Sequence, residues 1–320
     1  MTEGIRLYDQ TIPGMLLFFE PNFYTLGRQF SMKKSYLILH IAVLLAGFTG
    51  VFGKLITLNQ IPLVWFRVLL STLILFVVLK LFKIERLKST KDSIKIARVG
   101  LLITVHWIFF YGSIKFSNIS IGVVCYCLTS FFTAILEPLI NKKRFSLVQL
   151  LLSTLTLIGI SLIFHFDTTY QLGIILGVVS TIFAALYTIY NERLVKQYDS
   201  KLLNYYQMLS GTVALGLALP LFYYLFPEER FIPNISDVVY LVFLALFCTV
   251  GLYVLFAESL KKLSAFTVNL SFNLEPIYSI IIAFLFFNEG KQVNGSFYIG
   301  LAFVLISVLL QTMLSLRKKA

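Results

Sequence analysis

Ten apolar stretches follow one another along this chain, and the lysines and arginines between them collect in every second connection. A helix needs ~20 apolar residues to cross the hydrocarbon of a bilayer. Stretches approaching that length run near 35–55, 62–82, 95–115, 119–140, 146–166, 172–192, 202–225, 237–259, 264–287 and 296–316. Of the 320 residues, 58% are hydrophobic and 13% charged, with a mean hydropathy of +0.86. A water-soluble core of this size cannot hide that much apolar surface. The pattern predicts an all-α polytopic membrane protein of ten transmembrane helices.

The connections carry the orientation. Lys83, Arg86, Lys88, Lys91, Lys95 and Arg98 lie between stretches two and three. Lys142, Lys143 and Arg144 follow stretch four, Arg193, Lys196 and Lys201 follow stretch six, and Lys261 and Lys262 follow stretch eight. The intervening connections hold Lys54, Lys115, Arg230 and Lys291, and none between His165 and Gln171. Short loops rich in Lys and Arg stay in the cytoplasm. Lys33 and Lys34 before the first stretch, and Arg317 to Lys319 after the last, then place both termini there.

Mapped in this way, the net charge of +12 belongs to cytoplasmic loops facing anionic lipid heads and excludes a nucleic-acid partner. Cys125, Cys127 and Cys248 all fall within apolar stretches and read as packing residues, not as a disulfide or metal set. Residues 1–31 contain one short apolar run, Met15 to Phe19, and lack the organisation of a signal peptide. They are expected to be either a disordered, loosely held cytoplasmic tail or a non-native extension ahead of Met32 as the natural start.

Ten crossings divide into two sets of five, at about 32–168 and 169–320, and an odd number per set inverts the second set relative to the first. Leu136, Glu137 and Pro138 close the fourth stretch; Asn288, Glu289 and Gly290 close the ninth. A carboxylate therefore ends the fourth helix of each set. Leu274-Glu275-Pro276 repeats the Leu-Glu-Pro triplet out of register, an echo attributed to chance. Gly47, Gly50 and Gly53 in stretch one, and Gly173 and Gly177 in stretch six, provide small faces for close helix packing.

Gly47 to Lys54, then Pro62, Trp65, Phe66 and Arg67, and the helix ends at Glu137 and Glu289 together resemble the EamA-type transporters of the drug/metabolite transporter superfamily. The likeness extends from Lys33 to Lys319. It implies two five-helix halves around a central cavity in a bacterial inner-membrane carrier, often an exporter of amino acids or other small metabolites. Stretch four lacks a counterpart of Pro276 in stretch nine, so the two halves are expected to bend differently.

Polar groups inside a membrane are costly unless paired or facing a wet cavity, which makes each one a functional candidate. Arg67 is expected near the outer rim, either holding a substrate carboxylate or paired with a glutamate such as Glu289. Glu275 lies about 16 Å deep, near the bilayer centre, where a carboxylate could couple to protons or bind an amine. Pro276 follows it and removes a backbone donor. Asn269 and Asn273 lie on another face of that helix, where amides bind substrate or lock helices together. Trp107, Tyr111, Tyr126 and Tyr187 are candidates to line a cavity for an amphipathic molecule. Glu137, Glu289 and Arg67 are candidate gate or ion-pair residues.

No G-x-x-x-x-G-K-[ST] motif is present to power transport by ATP. There is also no H-E-x-x-H, no G-x-S-x-G and no clustered histidines to support an enzyme. No cofactor is expected. A secondary transporter working by alternating access, as monomer or homodimer, is the leading expectation; a channel, or a membrane scaffold or sensor, is the alternative.

Overall fold

The computed structural model describes residues 20–164, 170–288 and 295–317, and every regular element among them is helical. The first half comprises α1 (Glu20–Gly47), α2 (Thr49–Leu55), α3 (Gln60–Leu81), α4 (Thr90–Phe116), α5 (Ile119–Tyr126), α6 (Leu128–Asn141) and α7 (Leu147–Phe164). The second comprises α8 (Gln171–Leu194), α9 (Ser200–Leu225), α10 (Ile235–Ala245), a π-helical turn (Leu246–Gly251), α11 (Leu252–Leu260), α12 (Ala265–Phe272), α13 (Glu275–Phe287) and α14 (Gly295–Arg317). α1 starts at Glu20, inside the expected extension, with Pro21 in its first turn, where a missing N–H costs nothing.

Among the described residues, eight helical stretches are long and apolar enough to cross a membrane: Lys34–Leu55, Gln60–Leu81, Thr90–Phe116, Ile119–Asn141, Gln171–Leu194, Ser200–Leu225, Ile235–Leu260 and Ala265–Phe287. They coincide with the expected spans one to four and six to nine. The expected fifth and tenth spans form α7 and α14, which pack against each other. A side chain added at Gly159 would stand 2.6 Å from the Gly300 carbonyl, and Thr156 and Ser307 hydroxyls meet at 3.1 Å. Leu217, Leu285 and Phe286 face outward and exposed, a surface suited to lipid and not to water.

Helix pairing is reciprocal between the halves. α4 packs on α8 as α11 packs on α1, and α8 contacts α5 and α6 as α1 contacts α12 and α13. α3 with α9, and α6 with α12, pair each element with its counterpart. The glycines serve these contacts: a side chain at Gly47 would stand 2.6 Å from Tyr278 Cβ, and one at Gly177 2.7 Å from Cys125 Cβ. Each half's first helix thus uses a glycine to approach the fourth helix of the other half.

Both fourth helices are broken, one at Cys127 and the other at Asn273 and Leu274. The two halves reach their breaks by different local means. In α6 the Thr129 and Ser130 hydroxyls donate to the Tyr126 and Cys127 carbonyls at 2.6 and 3.0 Å, and the Ser130 amide reaches the Cys127 carbonyl only at 3.4 Å, as back-bonding hydroxyls loosen a helix. In the other half the Asn273 and Leu274 amides tighten to i−3 carbonyls just before Pro276. The two breaks meet: Asn273 Nδ2 donates to Ser130 Oγ at 3.2 Å.

Candidate functional site

A central cavity lies where the broken and bent elements converge. Ala46 and Thr49 flank the interruption between α1 and α2, Arg67 comes from α3, and His106, Trp107 and Phe110 from α4. Tyr126 ends α5, Leu252 and Tyr253 follow the π-turn, and Phe272 and Glu275 flank the break between α12 and α13. The free space holds a water or two, not an organic metabolite.

Arg67 is fully buried and points into this centre, not toward the rim. Nε donates to Thr249 Oγ1 at 2.7 Å, Nη1 to the Tyr111 hydroxyl at 2.7 Å and Nη2 to the Cys248 carbonyl at 2.8 Å. Its plane lies 3.8 Å from the Trp107 ring centroid, a cation–π contact strengthened by desolvation. The π-turn makes this seat: Thr249 Oγ1 donates five residues back to Leu244 O, and the Cys248 carbonyl is left to accept from the guanidinium. Such turns recur at functional positions.

Glu275 is 4% exposed, and among the described residues it accepts no hydrogen bond and forms no ion pair. Arg67 is the charge that acts on it. One cation with its donors largely engaged and one carboxylate with its acceptors free therefore share a cavity walled by aromatic rings. Trp107 Nε1 donates to the Tyr253 hydroxyl at 3.1 Å, and the two rings meet edge-on with centroids 5.2 Å apart. His106 Nδ1 lies 2.8 Å from Ser180 Oγ, which fixes the ring against α8.

Of the residues singled out in the sequence, Arg67, Trp107, Tyr126 and Glu275 line the cavity. Tyr111 stands behind it, accepting from Arg67. Tyr187 lies beyond Tyr253, at 6.0 Å between ring centroids, and its hydroxyl donates to Gln207 Oε1 at 3.2 Å. Asn269 is a lock: it donates to Thr133 Oγ1 at 2.8 Å and accepts from Thr188 Oγ1 at 3.0 Å, tying α12 to α6 and α8. Asn273 does the same at the break. Glu137 pairs locally with Lys143 at 3.2 Å, away from the cavity. Glu289 lies outside the described residues. Tyr253, Thr49 and Thr249 were not foreseen.

This fold and site define a polytopic helical membrane protein with a charged, aromatic-walled cavity at its centre. The sequence profile of the EamA-like transporter family matches twice, over residues 33–165 and 171–313. The chain belongs to that family, and with it to the drug/metabolite transporter superfamily. A Clostridium kluyveri protein described as an uncharacterized transporter is 21% identical over 295 residues, covering 86% of this chain and 92% of its own length. A crystal structure of another protein matches with a TM-score of 0.68 and 15% identity, covering 90% of this chain and 99% of that one; at such identity the likeness concerns the fold alone.

Proposed function

We propose that this transporter is a secondary carrier that exports a small organic metabolite, an amino acid or similar molecule, across the bacterial inner membrane by alternating access. In this reading the chain crosses ten times with both termini in the cytoplasm. Its halves, about 32–168 and 169–320, are inverted five-helix repeats that rock around the central cavity, as monomer or homodimer. The double profile match and the reciprocal helix pairing support the repeats. Broken helices meeting at mid-membrane suit a substrate site of this kind.

The observation that carries the reading is the unpartnered Glu275 carboxylate, enclosed with Arg67 and aromatic rings in a cavity too small for cargo. A buried carboxylate without a partner is costly, and an ammonium group of a ligand would relieve that cost. The Arg67 fork retains N–H groups beyond its three bonds for a carboxylate. A cavity this small must widen to admit its ligand, which suits a carrier better than a continuous pore. Candidate amino acids should show saturable counterflow in reconstituted vesicles, and Glu275→Gln should abolish it while the protein still inserts and folds. Non-saturating flux, or unchanged counterflow in Glu275→Gln, would contradict the proposal.

A further inference from the structure

Asp237, in the first turn of α10, is fully buried. Its carboxylate accepts from Thr57 N at 2.7 Å, Thr57 Oγ1 at 2.8 Å and Asn234 N at 3.2 Å. Thr57 sits in the connection between α2 and α3, so the contact fastens the first half to the second. Two neighbours reinforce it: Asn59 Nδ2 donates to Glu229 Oε1 at 3.0 Å, and Lys115 donates to the Ile56 carbonyl. Lys115 and Arg230 are the cations acting on this carboxylate.

The reciprocal pairing supplies its counterpart. Asp237 is the third residue after the N-cap Asn234, whose side chain accepts from the Asp237 amide; Asp92 is the third residue after the N-cap Ser89, whose side chain accepts from the Asp92 amide. Thr57 stands two residues before the N-cap of α3, Asn59; Gln197 and Tyr198 stand two and one before the N-cap of α9, Asp199. Across this second junction, one turn after Asp92, Lys95 Nζ donates to Gln197 Oε1 at 2.9 Å and stands 5.9 Å from the Tyr198 ring centroid. The two contacts are at opposite ends of the molecule. α4 carries Asp92 in its first turn and Lys115, beside Ile56, in its last, a rise of about 35 Å. They also differ in tightness. Asp237 is fully buried although Thr57 itself is exposed, whereas the Lys95 contact is exposed on both sides.

We propose that Thr57–Asp237 and Lys95–Gln197 are paired gates, one at each end of the central cavity, and that the transport cycle releases one as it tightens the other. This rests on the carrier reading, but the test needs no substrate and so can fail independently of it. Ala46 lines the cavity, and Ala46→Cys makes it a reporter for a membrane-impermeant maleimide. The natural cysteines are buried and set the background. Labelling is followed from each side of the membrane, in intact cells and in inside-out vesicles, with Arg230→Cys in a parallel chain identifying the Thr57 side.

Losing charge-assisted hydrogen bonds should shift the balance between two states by about tenfold or more. Asp237→Ala should therefore raise labelling from the Thr57 side by about that factor and lower it from the other. Lys95→Ala should do the reverse, by a smaller factor because its contact is exposed. If Asp237→Ala does not accumulate, Thr57→Val, which removes one donor and leaves the carboxylate its two amides, must give a smaller change in the same directions. Any other pattern overturns the proposal, including equal changes from both sides, no change, or Lys95→Ala acting like Asp237→Ala.

Discussion

Arg67 shows how a guanidinium can be held where water does not reach. Its three hydrogen bonds and the Trp107 face replace the hydration it would find at the rim. Thr249 is the acceptor that can be removed most cleanly. Thr249→Val should leave a charged donor unsatisfied and lower stability by about 1–3 kcal/mol, read as an earlier melting transition in detergent, and Thr249→Ser should restore it. Arg67, Glu275 and Trp107 were legible in the sequence because charge, and indole away from the interface, stand out in an apolar run. Tyr253, Thr49 and Thr249 were not, because hydroxyls are common in membrane helices. Only their packing against the π-turn and the interrupted helices gives them a role. The inward course of Arg67 was equally hidden, since its acceptors come from residues 44, 181 and 182 positions away.

The helices themselves were written plainly in hydropathy, but their interruptions were not. A proline flags a bend by its missing N–H, whereas the break at Cys127 depends on two hydroxyls turning back onto carbonyls. Such back-bonding has no fixed sequence mark. Close packing by glycine was legible as spacing and can be tested at two positions of opposite character. Gly177→Ala would bring a methyl group 2.7 Å from Cys125 Cβ and should cost about 1–3 kcal/mol by overpacking. At Gly295 nothing lies within 4 Å, so Gly295→Ala should leave the melting temperature unchanged or slightly higher. Equal losses from both would mean that α8 does not approach α5 as described.

For the whole molecule, the alternation of basic connections and the reciprocal helix pairing are separate observations that support the same two-half organisation. Single cysteines at Lys142 and Arg230 should therefore label from opposite sides of the membrane. Labelling of both from one side would remove the inverted arrangement while leaving family membership intact. Sequence alone suggested two halves, but which helix of one meets which of the other depends on contacts between residues far apart in the chain, such as His106 with Ser180 and Gly47 with Ser279, 74 and 232 positions apart. The crossing of the two broken helices has a consequence for descent. Ser130 and Asn273 join across it, so a single inherited substitution at either position disturbs the contact between both bends, and at that point the two profile-matched segments cannot drift apart independently.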